Sequence, residues 1–274
     1  MNPATSATDS ANGDRPGRLI LVTGAAGRVA QVALPALADY RLRLLDRVAP
    51  DTGGRPDVEI TLGDIAEREV VGSAVRGVDT VVHLAANPSA MATWDELREP
   101  NIEGTRNVLA ASVAAGVRRV VLASSVHAAG AYFTVRSEPG RESGPVDPDR
   151  PSTPCCQYGA TKAFAEALGR AFSYRTGLSV LCLRFGGVTP RPDTRGGAAT
   201  WIGPEDTRQL VVRAIEAPAG LAYGVYHGIS RSSRYDWDLS NAERDLGYVP
   251  MNEVADAELE PDEERWLCRV GPIA

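Results

Sequence analysis

The chain has 274 residues, 43% of them hydrophobic and 23% charged, with a formal charge of −6 at pH 7. That composition supports a full core and one or two domains. With no Lys/Arg cluster, nucleic acid is not an expected partner. No apolar run approaches the ~20 residues that span a bilayer, so no membrane partner is expected either. Residues 1–17 are rich in small and polar types and lack an apolar stretch of the signal-peptide kind. They read as a disordered leader on a cytoplasmic protein. The cysteines, Cys155, Cys156, Cys182 and Cys268, form no C-x-x-C pair, and the adjacent Cys155 and Cys156 are poor material for a structural disulfide. The three histidines, His83, His127 and His227, are scattered without an H-E-x-x-H pattern, so no metal site is expected.

In chain order, residues 18–23 form a short apolar strand that runs into Gly24-Ala25-Ala26-Gly27-Arg28-Val29-Ala30, followed by a helical pattern. Strand, glycine turn and helix is the context that gives a glycine motif meaning. Gly24 permits the tight turn, and Gly27 lets backbone approach a pyrophosphate at a helix N-terminus. Ala30 is small enough for close packing on the strand. Pro35 should kink that helix or end it early. Residues 40–46 read as a second strand ending in Asp46, about 20 residues beyond the glycines, where a carboxylate meets an adenosine ribose. An acid there accepts from a 2′-hydroxyl and repels a 2′-phosphate, which predicts NAD over NADP. Arg47 follows at once and is the one neighbour that could tolerate a phosphate.

Further strands are expected at 58–62, 80–85, 119–124 and 178–185, with helices at 65–75 and 101–115, the latter capped by Gly116. Strands alternating with helices predict an α/β fold with a doubly wound parallel sheet, whose ligands bind beyond the carboxyl ends of the strands. Gly24, Asp46, Asp64, Ala85, Ser125 and Gly186 all fall at such ends.

Tyr158 and Lys162 are four residues apart on one helix face, in a run where Ala163, Phe164, Ala167, Leu168, Ala171 and Phe172 recur at helical spacing. A nearby ammonium favours a phenolate and lowers the tyrosine pKa. The pair could then take a proton from an alcohol while hydride leaves its carbon. Residues 139–154 read as a surface loop over the site. After Arg184 too little chain remains for a second independent core. Residues 207–216 predict a helix, 223–229 a late strand, and Ser240-Asn241-Ala242-Glu243 a capping box on a short helix closed by Gly247. Residues 253–274 have no assignable pattern. The expected organisation is a nucleotide-binding domain over 18–190, with a small substrate-binding extension over 191–274 packed on the same core.

Together these motifs resemble the extended branch of the short-chain dehydrogenase/reductase superfamily, a family of NAD-dependent epimerases, dehydratases and dehydrogenases. The resemblance rests on Thr23-Gly24-Ala25-Ala26-Gly27, Val82-His83-Leu84-Ala85-Ala86, Asn101-Ile102-Glu103-Gly104-Thr105, Ser124-Ser125, Tyr158 with Lys162, and Leu183-Arg184-Phe185-Gly186. It implies a Rossmann fold, NAD as cofactor, and Ser125, Tyr158 and Lys162 as the catalytic set. Counting back from Gly130 favours Ser125 over Ser124. It implies further that NAD is held by Gly24, Ala26, Gly27, Arg28, Val29, Asp46, Arg47, Asp64, Ile65, Leu84, Ala85, Ala86, Asn101, Ala123, Tyr158, Lys162 and Phe185. For Asn101, helix capping is an equal alternative.

Within that branch the short carboxyl-terminal half resembles the uronate dehydrogenases, as do Ser124-Ser125-Val126-His127, residues 200–206 and residues 235–240. Those enzymes oxidise the anomeric carbon of a hexuronate with NAD. That likeness implies a carbohydrate substrate met by Ser89, Ser125, Val126, His127, Gly187 and Arg195, and, from family habit, a possible homo-oligomer. Val126 and Gly187 stand where the relatives carry polar side chains, and the arginine that grips the uronate carboxylate aligns near Gly196, one position from Arg195. The alternatives are a nucleotide-sugar epimerase or dehydratase that recycles its NAD, and an NAD-binding regulator without turnover.

Overall fold

The structure, a computed structural model, describes residues 17–135, 145–192, 194–232, 237–255 and 259. The expected leader up to residue 16, part of the 139–154 loop, Tyr235 and Asp236, and nearly all of the final segment lie outside the described residues.

The chain runs β1 (Leu19–Thr23), α1 (Arg28–Ala33), β2 (Arg41–Asp46), β3 (Glu59–Leu62), α2 (Arg68–Ala74), β4 (Thr80–His83), α3 (Trp94–Leu97), α4 (Thr105–Ala114), β5 (Arg119–Ser125), α5 (Gly130–Val135), α6 (Gln157–Thr176) and β6 (Ser179–Phe185). It continues through β7 (Gly187–Val188), α7 (Arg195–Ala198), β8 (Trp201–Ile202), α8 (Pro204–Glu216), β9 (Tyr223–Gly228) and α9 (Ser240–Leu246). Seven strands form one parallel sheet in the order β3-β2-β1-β4-β5-β6-β9. The order reverses at β1 and β4, the place where doubly wound sheets open a crevice.

Strand periodicity explains why both sheet faces are covered. Along β1, Ile20 and Val22 enter one buried cluster with α1, α8 and α9, while Leu19 and Leu21 enter the opposite cluster with α2, α4 and α6. Alternation of this kind needs apolar residues at every position, and all five residues of β1 are buried. Each fully buried Leu or Ile contributes about 1.5–3 kcal/mol relative to exposure. The carboxyl-terminal segment shares this core: Leu210, Val211, Ala214 and Ile215 of α8 pack in the first cluster, and β9 extends the sheet beside β6.

Local signals set several boundaries. α1 stops at Ala33, and Pro35 sits in a 3-10 turn over Leu34–Leu37, the early end its ring demands. α6 ends on Gly177 in the left-handed conformation (φ 77°). Two expectations are corrected. The helix expected from Asn101 begins earlier, with Thr93 and Glu96 forming a capping box on α3, and passes through a π turn over Arg98–Gly104 before α4. Pro100 sits in that wide turn and has no N–H to give. Ser240 is not the cap of α9: it is the first helical residue, and its N–H donates to Asp238 Oδ1 at 2.8 Å. The carboxyl end of α9 does close on Gly247 (φ 68°). Among the described residues, no helix is long and apolar enough to cross a membrane.

Candidate active site

The glycine loop after β1 is built by backbone contacts that tolerate no side chain. The Gly24 N–H donates to the Leu45 carbonyl at 2.9 Å, and the Gly27 N–H donates to the Gly24 carbonyl at 3.0 Å. Gly24 has φ +70°, and a Cβ there would lie 2.5 Å from the Ala85 nitrogen, so only glycine lets β1 and β4 diverge around the turn. Gly27 leads into α1 with no side-chain cap, and Arg28 and Val29 line the cavity beside it. Asp46, at the end of β2, accepts from the Ala26 N–H at 2.9 Å and from the Arg47 N–H at 2.7 Å. It therefore anchors the glycine loop. Arg47 is 78% exposed and reaches Asp64 only at 3.8 Å, a weak surface pair. A turn with no room for Cβ, a helix start without a side-chain cap and a strand-end carboxylate fit a dinucleotide.

Beyond the ends of β5 and β6 lies a cavity of about 670 Å³. Ser125, Tyr158 and Lys162 all line it, with Leu84, Ala86, Ala123, Val126, His127, Phe185 and Gly187. The Lys162 ammonium donates to the Ala123 carbonyl at 2.8 Å and stands 5.8 Å from the Tyr158 ring centre. Ser125 Oγ accepts from the His127 N–H at 3.2 Å. Burial pushes the Lys162 ammonium down to about 8, against the opposing negative charge of Glu166. The same burial corrects the expectation that the lysine draws the tyrosine down. Tyr158 is pushed up to about 12, chiefly because its phenolate would be desolvated, and the hydrogen bond from Ser125 only partly offsets this.

The two adjacent serines separate cleanly. Ser124 Oγ donates to Glu166 Oε1 at 2.5 Å, inside a buried network with Arg184 and Ser152, whereas Ser125 faces the Tyr158 hydroxyl. Asn101 does not cap a helix. Its Oδ1 accepts from the Asn87 N–H at 2.7 Å, and its Nδ2 donates to the Asn87 carbonyl and to Thr161 Oγ1, at 3.1 and 3.0 Å. It ties the loop after β4 to the helix turn between Tyr158 and Lys162.

Several expected residues lie off the cavity. Ser89 Oγ is occupied by the Met91 N–H, and Pro88 lines the cavity in that loop. Arg195 opens α7 but is not part of the lining, which runs through Thr194, Gly196 and Gly197. Asp64 Oδ1 accepts from the Ala66 N–H, and Ile65 is buried in the core under Gly104. Gly186, expected at a strand end that faces the ligand, lines the cavity, as do Val188, Thr194, Gly197 and Thr200, which were not named as site residues. Gly186 and Gly187, directly after a strand, were the available signal.

The NAD dependent epimerase/dehydratase family matches residues 20–197, the span that carries the glycine loop, the serine and the Tyr158–Lys162 pair. The chain belongs to this family. Among curated relatives, it is 34% identical over 249 residues to the NAD-dependent glucose-6-phosphate dehydrogenase of Haloferax volcanii, covering 86% of this chain and 94% of that protein. It is 31% identical over 241 residues to the uronate dehydrogenase of Pseudomonas putida, covering 86% and 85%. Among solved structures it is similar to a uronate dehydrogenase from Agrobacterium tumefaciens, a tyrosine-to-alanine mutant complexed with NAD. There the TM-score is 0.77 at 31% identity, covering 86% of this chain and 85% of that one.

Proposed function

We propose that the chain is an NAD-dependent sugar dehydrogenase of the uronate dehydrogenase type, oxidising a carbinol of a free sugar or sugar acid. The observation that carries this reading is the meeting of Ser125, Tyr158 and Lys162 in one cavity beside the glycine loop. NAD, when bound, supplies the hydride acceptor. The Ser125 hydrogen bond, together with the positive charge that NAD would bring beside the phenol, favours the phenolate that burial alone disfavours; Tyr158 then takes the hydroxyl proton of the sugar, and Ser125 orients the reacting oxygen by hydrogen bonding. Lys162, held by the Ala123 carbonyl, places a positive charge beside the tyrosine ring. Apolar walls from buried Ala123 and Phe185 and half-buried Leu84 exclude water from this end of the cavity.

The sugar side is formed by Val126, His127 and Gly187. Val126 is 2% exposed and packs with Ile229 and Trp237, and Gly187 presents no side chain. Both support a substrate less polar or bulkier at these positions than a plain hexuronate, with Arg195 available to a carboxylate if α7 shifts toward the cavity.

The test is a panel of free and nucleotide-linked sugars with NAD and NADP, following reduced cofactor. Net NADH with a free sugar or sugar acid is expected. Tyr158→Phe should cut turnover about 10²–10⁴-fold while NAD still binds. Isomerised or dehydrated nucleotide sugars without net NADH would replace this reading with the epimerase/dehydratase one.

A further inference from the structure

Next to the proposed reaction centre, the fold gathers three ligand groups that the sequence keeps apart. His127, at the end of β5, and the Cys155-Cys156 pair, just before α6, bring His127 Nδ1 within 3.5 Å of Cys155 Sγ and 3.6 Å of Cys156 Sγ. All three ligand atoms lie within 4.8 Å of one another, and each residue is half-buried, so an ion from solvent can reach them. We propose that His127, Cys155 and Cys156 form a binding site for a thiophilic d¹⁰ divalent cation, zinc being the physiological example.

The distances carry the assignment. A tetrahedral zinc at ~2.3 Å from sulfur and ~2.0–2.1 Å from nitrogen spaces those ligands about 3.5 Å apart. Both nitrogen–sulfur separations already have that value, and the two sulfurs, within 4.8 Å of each other, need only close toward the tetrahedral spacing. Two sulfurs and one imidazole, with no carboxylate in the cluster among the described residues, select a soft or borderline ion over magnesium or calcium. The fold holds the Cys156 sulfur in place at the cluster. It caps the 20-residue helix α6 and accepts from the Gly159 N–H at 3.3 Å. Three protein ligands leave the fourth position for water or another small ligand.

The site bears on the reaction centre by position. The His127 ring lines the cavity and meets the Tyr158 ring edge-on at 5.5 Å, and Cys156 caps the helix that carries Tyr158. An ion there fixes the imidazole as a ligand and removes it from the sugar side, so zinc inhibits turnover. This consequence rests on the dehydrogenase reading; the binding does not.

The full chain, kept reduced, is titrated with Co²⁺ and followed by thiolate-to-cobalt charge-transfer absorption. One equivalent is expected to bind, Zn²⁺ should displace it, and Cys155→Ser and Cys156→Ser should each abolish the band with an unchanged circular dichroism spectrum. His127→Asn should weaken binding at least tenfold. Absence of the band in the wild-type protein overturns the site. So does a band that survives in the Cys155→Ser/Cys156→Ser double variant or is unaffected by His127→Asn. With a substrate in hand, zinc should inhibit the wild type reversibly to chelator and spare Cys155→Ser. Binding without inhibition would reject the link to turnover and leave the binding result to be judged alone.

Discussion

Arg184 grips Glu166 at both carboxylate oxygens, Nε to Oε1 and Nη2 to Oε2, each at 2.8 Å. The two side chains are only 2% and 4% exposed, and the pair joins β6 to the helix of Tyr158 and Lys162. Ser124 and Ser152 complete the hydrogen bonding of the carboxylate. Glu166→Gln leaves the Arg184 charge buried without its counter-ion, a change that typically costs 3–5 kcal/mol. Denaturant unfolding of the variant should show a loss of about that size. A loss under about 1 kcal/mol would mean that Ser152 and His227 satisfy Arg184 without the acid.

Gly186 and Gly187 predict opposite outcomes. A Cβ at Gly186 would overlap the Thr200 carbonyl, a backbone atom that cannot swing aside, whereas the nearest atom to a Cβ at Gly187 is 3.9 Å away. Gly186→Ala should therefore destabilise by about 1–3 kcal/mol, the usual cost of overpacking. Gly187→Ser should melt as the wild type does and place a hydroxyl on the sugar side. If the proposed preference for a less polar sugar is right, Gly187→Ser raises kcat/KM for glucuronate and galacturonate. Efficient use of both by the wild type, with no gain in Gly187→Ser, would leave an ordinary uronate specificity.

Asp46 holds the glycine loop through the Ala26 N–H, and its proposed partner is the adenosine ribose. Asp46→Ala should thus do two things in a cofactor titration. It should raise NADP affinity relative to NAD, and it should weaken NAD by about 10–100-fold, the scale of a lost charge-assisted hydrogen bond at 1.5–3 kcal/mol. Tighter binding of NADP than NAD by the wild type would give the decision to Arg47.

His83 is wholly buried between Thr23 Oγ1 at 2.7 Å and Thr105 Oγ1 at 3.2 Å. Burial, helped by the Lys162 charge, pushes it down to about 3 from an ordinary 6.5. Between those values the unfolded chain takes up a proton that the folded chain refuses. The stability contribution is therefore complete above pH 6.5 and lost as pH falls toward 3. At pH 5 the loss is about 2 kcal/mol. Burial also lowers His227, so it adds in the same direction. Thermal melts at pH 7 and pH 5 should show a smaller drop for His83→Gln than for the wild type. Equal drops would place the acid sensitivity elsewhere.

The sequence by itself determined what local chemistry controls. A glycine that must take φ +70°, a proline that ends α1, a carboxylate at the end of β2 and a tyrosine and lysine one helical turn apart are set by neighbours in the chain. Strand and helix periods carried the parallel sheet in the same way. The tertiary structure alone decided matters that depend on residues meeting across distance. Ser124 and Ser125 are adjacent and both border the cavity, yet strand alternation turns the Ser124 hydroxyl to Glu166 and the Ser125 hydroxyl to Tyr158. Asn101 reads as a cap until Asn87 and Thr161 arrive beside it. Lys162 at helical spacing suggested an acidic Tyr158, but spacing carries no information on burial, and desolvation of the phenolate outweighs the hydrogen bond from Ser125. His127 and the cysteines are scattered in sequence because the ends of β5 and α6 are joined by a long connection, and only folding closes it. Dihedral preferences and side-chain periods act over a few residues, whereas dielectric environment and ligand geometry are properties of the packed whole.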